Sequence, residues 1–261
     1  MRRIRSKKVV QYFLWVLVLL VLWETAARLG WVNAYILPPF TTVAARLGHE
    51  LFSGKLGVQT LNSLWVVLQG FAISFMAAVV ITALCAASRL VESLFDTLST
   101  ILNPLPAVAI MPLIIMWFGI DITAMFVIII HGVLWTMIRH LLDGLRAIPA
   151  AQIEFGRNIG LSPLKMFTGV IVFALMPELL AGLRTGWGRA WRALISAEMV
   201  FGMIGALGGL GYYIYMGRVY AKISDVLAGI IIIALIGVVA ESLVFGQIER
   251  LTVRKWGMTR E

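Results

Sequence analysis

One apolar stretch, residues 179–201, carries the groups best able to act on a solute: Arg184, Arg189, Arg192, Ser196 and Glu198. Arg189, Arg192 and Ser196 follow i, i+3, i+7 spacing and therefore share one face of a helix. Arg184 lies about one turn earlier, where a long side chain can reach an interface. A charge near the centre of a bilayer costs about 2.5–3.5 kcal/mol on insertion scales, so such residues face protein or a wet cavity. Cations gathered along a pathway favour an anionic solute. The competing reading sends Arg184 to lipid headgroups and pairs Arg189 and Arg192 with backbone or with Glu198.

Catalysis has little to work with. His49, His131 and His140 form no HxxxH pattern and no carboxylate–histidine pairing, so neither a zinc site nor a catalytic dyad is built. There is no serine nucleophile elbow and no Cys–His arrangement. Cys85 is the only cysteine and sits in an apolar run, which excludes a disulfide framework and reads as a small core residue. The glycine-rich run 203–213 lacks GxGxxG spacing, a preceding strand and a GK[ST] ending. It reads as turns where a helix leaves the bilayer rather than as a phosphate loop.

The elements that position these residues follow from composition. Of 261 residues, 61% are hydrophobic and 13% charged, with a mean hydropathy of +0.93. A soluble domain is about 45–50% apolar and about 25% charged, so the chain reads as an all-α integral membrane protein. Six candidate spans lie at about 9–30, 61–87, 101–118, 123–138, 177–203 and 226–247, from the roughly 20 apolar residues that a helix needs to cross. The alternation of a transmembrane barrel is absent. Pro104, Pro106 and Pro112 predict a break or kink in and before the third span. Gly182 and Gly186 form a GxxxG pair suited to close helix approach. After Pro38 and Pro39, Thr41 is placed to cap a short amphipathic helix through about Leu51.

The net charge of +9 does not form one nucleic-acid-binding patch. Fourteen Lys and Arg lie in segments 1–8, 88–100, 139–176 and 248–261, against five in 28–60, 119–122 and 204–225. The positive-inside rule then puts both termini in the cytoplasm. Residues 1–27 have the layout of a signal peptide. Losing that span would break the charge asymmetry, so a retained signal-anchor helix is expected.

Segment 154–177 is a polar insert between spans, on the cytoplasmic side by this count. Glu154, Phe155 and Gly156 are followed after three residues by Gly160, then by Val170–Phe173 and Pro177. The pattern resembles the EAA-x3-G-x9-I-x-L-P loop of the membrane-spanning permease subunits of binding-protein-dependent ABC importers. Gly156 stands where that family usually has Ala, and Phe173 where it has Pro. Further likeness lies in Leu37–Pro39, Gly182–Arg184, Ser196–Glu198, Gly209–Tyr212 and the basic ending 248–256. These look like the subgroup serving nitrate, taurine and alkanesulfonates. Arg189 and Arg192 occupy positions expected to be apolar in sulfonate members, which leaves the substrate open.

The resemblance implies a type I ABC importer fold (MetI-like) with about six transmembrane helices in a bacterial cytoplasmic (inner) membrane. It divides the chain into an anchor helix and extracytoplasmic segment (1–60), a transmembrane domain (61–250) with a coupling loop at 139–176, and a basic tail (251–261). It implies a homodimer, two ATPase subunits that carry the ATP and Mg, and a substrate-binding protein outside. No cofactor is expected on this chain, and no nucleic-acid partner. Glu154, Phe155, Gly156, Gly160, Leu161, Leu164 and Phe167 would meet the ATPase. Gly160 would make a tight turn, and Glu154 would lie at a helix start, where the dipole favours negative charge. An ion-gradient-driven secondary transporter is the alternative, which the lack of an evident inverted repeat disfavours. A membrane-embedded enzyme is third.

Overall fold

The computed structural model describes residues 2–52, 54–204, 207–253 and 255. Among these there are helices and no strands. In chain order they are α1 (Arg2–Arg28), α2 (Phe40–Phe52), α3 (Lys55–Ala87), α4 (Arg89–Leu102), α5 (Ala107–Phe118), α6 (Ile122–Arg146) and α7 (Ala150–Asn158). Then come α8 (Pro163–Phe201), α9 (Leu210–Val219) and α10 (Ile223–Leu251). α8 runs through a π turn at Phe167–Ile171, and α10 through another at Ala240–Phe245.

Five helices are long and apolar enough to cross a membrane: Val10–Arg28 of α1, then α3, α6, α8 and α10. A sixth crossing is available if α4 and α5, bent 105° to one another, count as one span. The third expected span, 101–118, is therefore not a straight helix. Pro104 and Pro106 each lack the N–H that would continue the ladder, and the chain turns between Leu102 and Ala107. Pro112, by contrast, sits inside α5 without ending it.

Two other boundaries move as well. α6 continues past the expected end at 138 to Arg146, so the expected loop 139–176 begins inside a helix. Arg139 and Asp143, four residues apart, sustain that polar extension by pairing at 3.7 Å. α8 starts at Pro163 rather than 177, and Pro177 lies within it. Most of the basic tail 251–261 lies outside the described residues.

The core sits where α6 packs along α8 and α3. Ile128, Ile129, Val133, Met137, Ile138 and Leu194 are fully enclosed there. Glycines permit the approach. A Cβ at Gly182 would stand 3.0 Å from that of His140, and one at Gly186 3.3 Å from Val133, so the GxxxG pair does seat α8 on α6. A Cβ at Gly70 of α3 would lie 2.8 Å from Ile129. α1 stays largely outside this core, with Leu14, Trp15, Leu19 and Leu22 more than half exposed, as suits a lipid-facing helix.

α1 is tied to α2 at one end. Trp23 Nε1 donates to the Pro38 carbonyl at 3.0 Å, and its ring meets Phe40 edge-on. Thr41 does not cap α2 with its own hydroxyl. The Glu24 carboxylate does so, accepting from the Thr41 N–H at 3.0 Å and its hydroxyl at 2.9 Å. Midway along α2, Arg46 binds Asp225 of α10 at 2.6 Å.

Candidate functional site

The break between α4 and α5 leaves carbonyls with no helical partner, and the site grows from how these are satisfied. Arg189 on α8 reaches across, its Nη1 donating to Asn103 O at 3.1 Å and to Asn103 Oδ1 at 2.9 Å. Thr136 of α6 donates to the same Oδ1 at 2.8 Å. His131 Nε2 lies 3.3 Å from Leu105 O, while Trp135 Nε1 donates to its Nδ1 at 3.2 Å. That pattern assigns the ring proton to Nε2, directed at Leu105 O. A bent span at membrane depth is tolerable because neighbouring helices fill its broken ladder.

Beside the break, a cleft of about 600 Å³ opens between α6 and α8. Its charged lining is Arg139, Arg184, Arg189, Arg192 and Glu241, with His140 and Thr185 adding polar groups. Arg184 pairs with Glu241, which the π turn of α10 presents, and lies 3.6 Å from Glu249. Arg139 takes Asp143 and Thr100. Arg189 uses neutral acceptors, and Arg192 is exposed with no hydrogen bond or ion pair to any described residue. The cleft thus keeps two uncompensated positive charges, at Arg189 and Arg192.

The five polar residues of 179–201 are therefore not one group. Arg184, Arg189 and Arg192 line the cleft; Ser196 is half-buried outside its lining. Glu198 is 2% exposed and turned away. It accepts from Ser63 Oγ at 2.6 Å and Gly211 N at 2.7 Å, and pairs with neither arginine. A carboxylate–histidine pair, absent from the sequence reading, is present in space: His140 Nδ1 lies 3.0 Å from Glu178 Oε2. Asn103, Thr136, Thr185 and Ser63 went unnoticed in sequence. The signal available for Thr136, Thr185 and Ser63 was a polar residue inside a largely apolar helix, and for Asn103 its place beside Pro104 at the break.

The second group of residues singled out in the sequence lies at the α7–α8 junction. Just past the end of α7, after Ile159, comes Gly160, whose φ is +72°. Gly160 N–H donates to Arg157 O and Leu161 N–H to Gly156 O, both at 3.0 Å, the paired bonds of a Schellman stop. Ser162 and Pro163 then restart the helix, with Ser162 Oγ accepting from Lys165 N–H. Gly156 is buried beneath the tip of Met166, which would have to shift for a Cβ to fit there. Leu161 is half-buried beside it, while Glu154, Phe155, Leu164 and Phe167 face outward. Glu154 stands in the second turn of α7 and not at a helix start. Phe155 is 66% and Leu164 72% exposed, a polar-flanked apolar surface built by a rigid turn.

Residues 70–252 match the family described as binding-protein-dependent transport system inner membrane component. The chain belongs to that family. It is the permease of an ABC importer, a multi-pass inner-membrane subunit whose family works with an ATPase and a substrate-binding protein. The permease is 33% identical over 223 residues to the putative aliphatic sulfonates transport permease protein SsuC of Escherichia coli, covering 85% of this chain and 83% of the relative. It is 28% identical to the taurine transport system permease protein TauC of the same organism, covering 86% and 82%. To the riboflavin transport system permease protein RibX of Chloroflexus aurantiacus it is 29% identical, covering 91% and 87%.

Proposed function

We propose that this permease carries a small anion, sulfonate-like or a related organic or inorganic anion, through the cleft between α6 and α8. The observation that carries the reading is the lining itself, where Arg189 and Arg192 pair with no acidic residue among those described. The names of SsuC and TauC, which refer to sulfonates and taurine, agree with it. Segment 139–176 is the coupling region. There Phe155, Leu164 and Phe167 offer apolar contact to an ATPase groove, with Glu154 beside them and Gly156, Gly160 and Leu161 holding the turn. ATP and Mg bind the ATPase and not this chain. Two copies of the permease with two ATPases form the transporter, both termini lie in the cytoplasm, and the binding protein docks on the opposite face. Closure of the ATPases on ATP moves the paired loops as rigid bodies and switches access to the cleft.

The test is solute uptake by the reconstituted importer carrying Arg189→Gln and Arg192→Gln together. Uptake of the anion is expected to fall at least tenfold, the effect of losing two charge-assisted contacts of about 1.5–3 kcal/mol each. Assembly with the ATPase is expected to persist. Unchanged uptake would reassign both arginines to structural roles.

A further inference from the structure

A second polar cavity, of about 920 Å³, lies at the other end of α10 from Glu241. Arg46 and Glu50 of α2, Lys55 and Gln59 of α3, and Lys222 and Asp225 at the start of α10 line it. It shares no lining residue with the cleft between α6 and α8. Asp225 and Glu241 stand roughly 24 Å apart along α10, at about 1.5 Å per residue, so the two openings are separate. On the orientation proposed above, this cavity faces the binding-protein side.

Its charges divide into engaged and free. Arg46 is engaged twice, its Nε binding Asp225 at 2.6 Å and its Nη2 binding Glu50 at 2.8 Å. Lys55 and Lys222 are exposed, and neither forms an ion pair with a described residue. Lys222 instead stands 5.9 Å from the centre of the Tyr220 ring. α3 begins at Lys55 with no capping side chain and no acidic residue in its first turn, which adds to the pull on a negative group. The turn that presents Lys222 is strained: Ala221 has a φ of +54°, alone among the described residues other than glycine. Gln59 supplies a different demand. It is 5% exposed, and its Nε2 donates to Leu207 O at 3.0 Å. That bond fixes the amide, because the reversed one would set oxygen against oxygen. Its Oε1 is left buried with no partner among the described residues. An acceptor in that condition costs about 1–3 kcal/mol until an N–H or O–H meets it.

We infer that this cavity is a receiving site for a small anion that also carries a hydrogen-bond donor, such as an amino- or hydroxy-substituted sulfonate or carboxylate. The anionic group meets Lys55 and Lys222, and the donor meets Gln59 Oε1. The ligand class rests on the anion reading proposed above and narrows it, since a plain alkanesulfonate would leave Gln59 unmet.

The experiment titrates 2-aminoethanesulfonate onto the purified full importer without its binding protein, with binding read by saturation-transfer NMR. Ethanesulfonate, which keeps the anion and lacks the donor, is titrated in parallel. Both are run in an importer carrying Arg189→Gln and Arg192→Gln, so that the other cleft does not contribute. The amino compound is expected to bind about fivefold more tightly than ethanesulfonate, the worth of one net hydrogen bond. Adding Lys55→Gln and Lys222→Gln, both at exposed positions, should weaken both probes about fivefold, the scale of two solvent-exposed charge contacts. Adding Gln59→Leu instead should make the two probes bind alike while ethanesulfonate keeps its affinity, a readout that a merely structural role would not move. Equal binding of the two probes in the starting importer overturns the inference, because water then suffices for Gln59. Binding that survives the lysine changes overturns it as well. If those changes weaken only docking of the binding protein, the cavity is a protein contact and the inference fails. Each such failure leaves the uptake result for Arg189 and Arg192 untouched, and a failure of that result leaves this titration standing.

Discussion

Gly160 offers the sharpest test of how the proposed coupling segment is built, because its requirement is purely one of backbone. Its φ of +72° lies in the left-handed region, and a Cβ there would meet nothing within 4 Å. A clash therefore plays no part. An L residue in this conformation costs about 1–2 kcal/mol, whereas Asn adopts it at less expense because its short polar side chain bonds locally. Gly160→Ala should accordingly raise opening of the α7–α8 turn by about 5–30-fold, the ratio set by that energy. Gly160→Asn should stay near the parent chain. The amides of Gly160 and Leu161 report the effect directly, since they donate the two bonds of the helix stop. Hydrogen exchange of that segment in the purified importer should therefore accelerate in the order Gly, Asn, Ala. Solute moved per ATP hydrolysed should fall in the same order if a rigid turn transmits the motion. Equal exchange and equal coupling for Ala and Asn would refute the reasoning.

Two further expectations separate structural from transport roles. Arg189→Leu strips Asn103 O and Oδ1 of their charged donor at the span break and should cost about 1–3 kcal/mol of stability, read as a lowered thermal midpoint in detergent. Arg192→Leu, which removes no hydrogen bond or ion pair to a described residue, should leave that midpoint unchanged while still reducing anion uptake; equal losses for both would overturn the distinction. Gly182→Leu drives side-chain atoms into His140 and Met137 and should destabilise by about 1–3 kcal/mol. Gly237→Leu on α10 meets nothing within 4 Å and serves as the neutral comparison in the same unfolding measurement.

The spans were legible because lipid demands long apolar runs, and the bent pair because Pro104 and Pro106 announce a missing donor. The helix stop at Gly160 was legible as a glycine at fixed distance from Glu154. The extent of α6 was not, since an apolar window closes at the first charge while the helix itself continues on ion pairs such as Arg139–Asp143. Nor were the separate fates of Arg189, Arg192 and Glu198. They share a helix and similar spacing, and what divides them lies far along the chain. Arg189 meets Asn103 86 residues away, and Glu198 meets Ser63 135 residues away. His140 and Glu178 escaped notice for the same reason.

The anchoring of Arg189 bears on how the cleft would bind an anion. A guanidinium offers five N–H donors in a fixed fork, and here the Asn103 oxygens engage Nη1 alone. Nη2 and Nε have no acceptor among the described residues, so the fork is held from one side and open on the other. A side chain fixed in this way loses little rotamer freedom when a carboxylate, sulfonate or phosphate-like group arrives. Arg192, one turn further along, is exposed with no hydrogen bond or ion pair to a described residue, and on the proposed pathway would complete the grip on the same anion. The break in the fourth and fifth helices and the charge in the cleft are then one construction. Proline opens the ladder, the orphaned carbonyl takes an arginine, and the arginine lines the cleft proposed as the path of the solute.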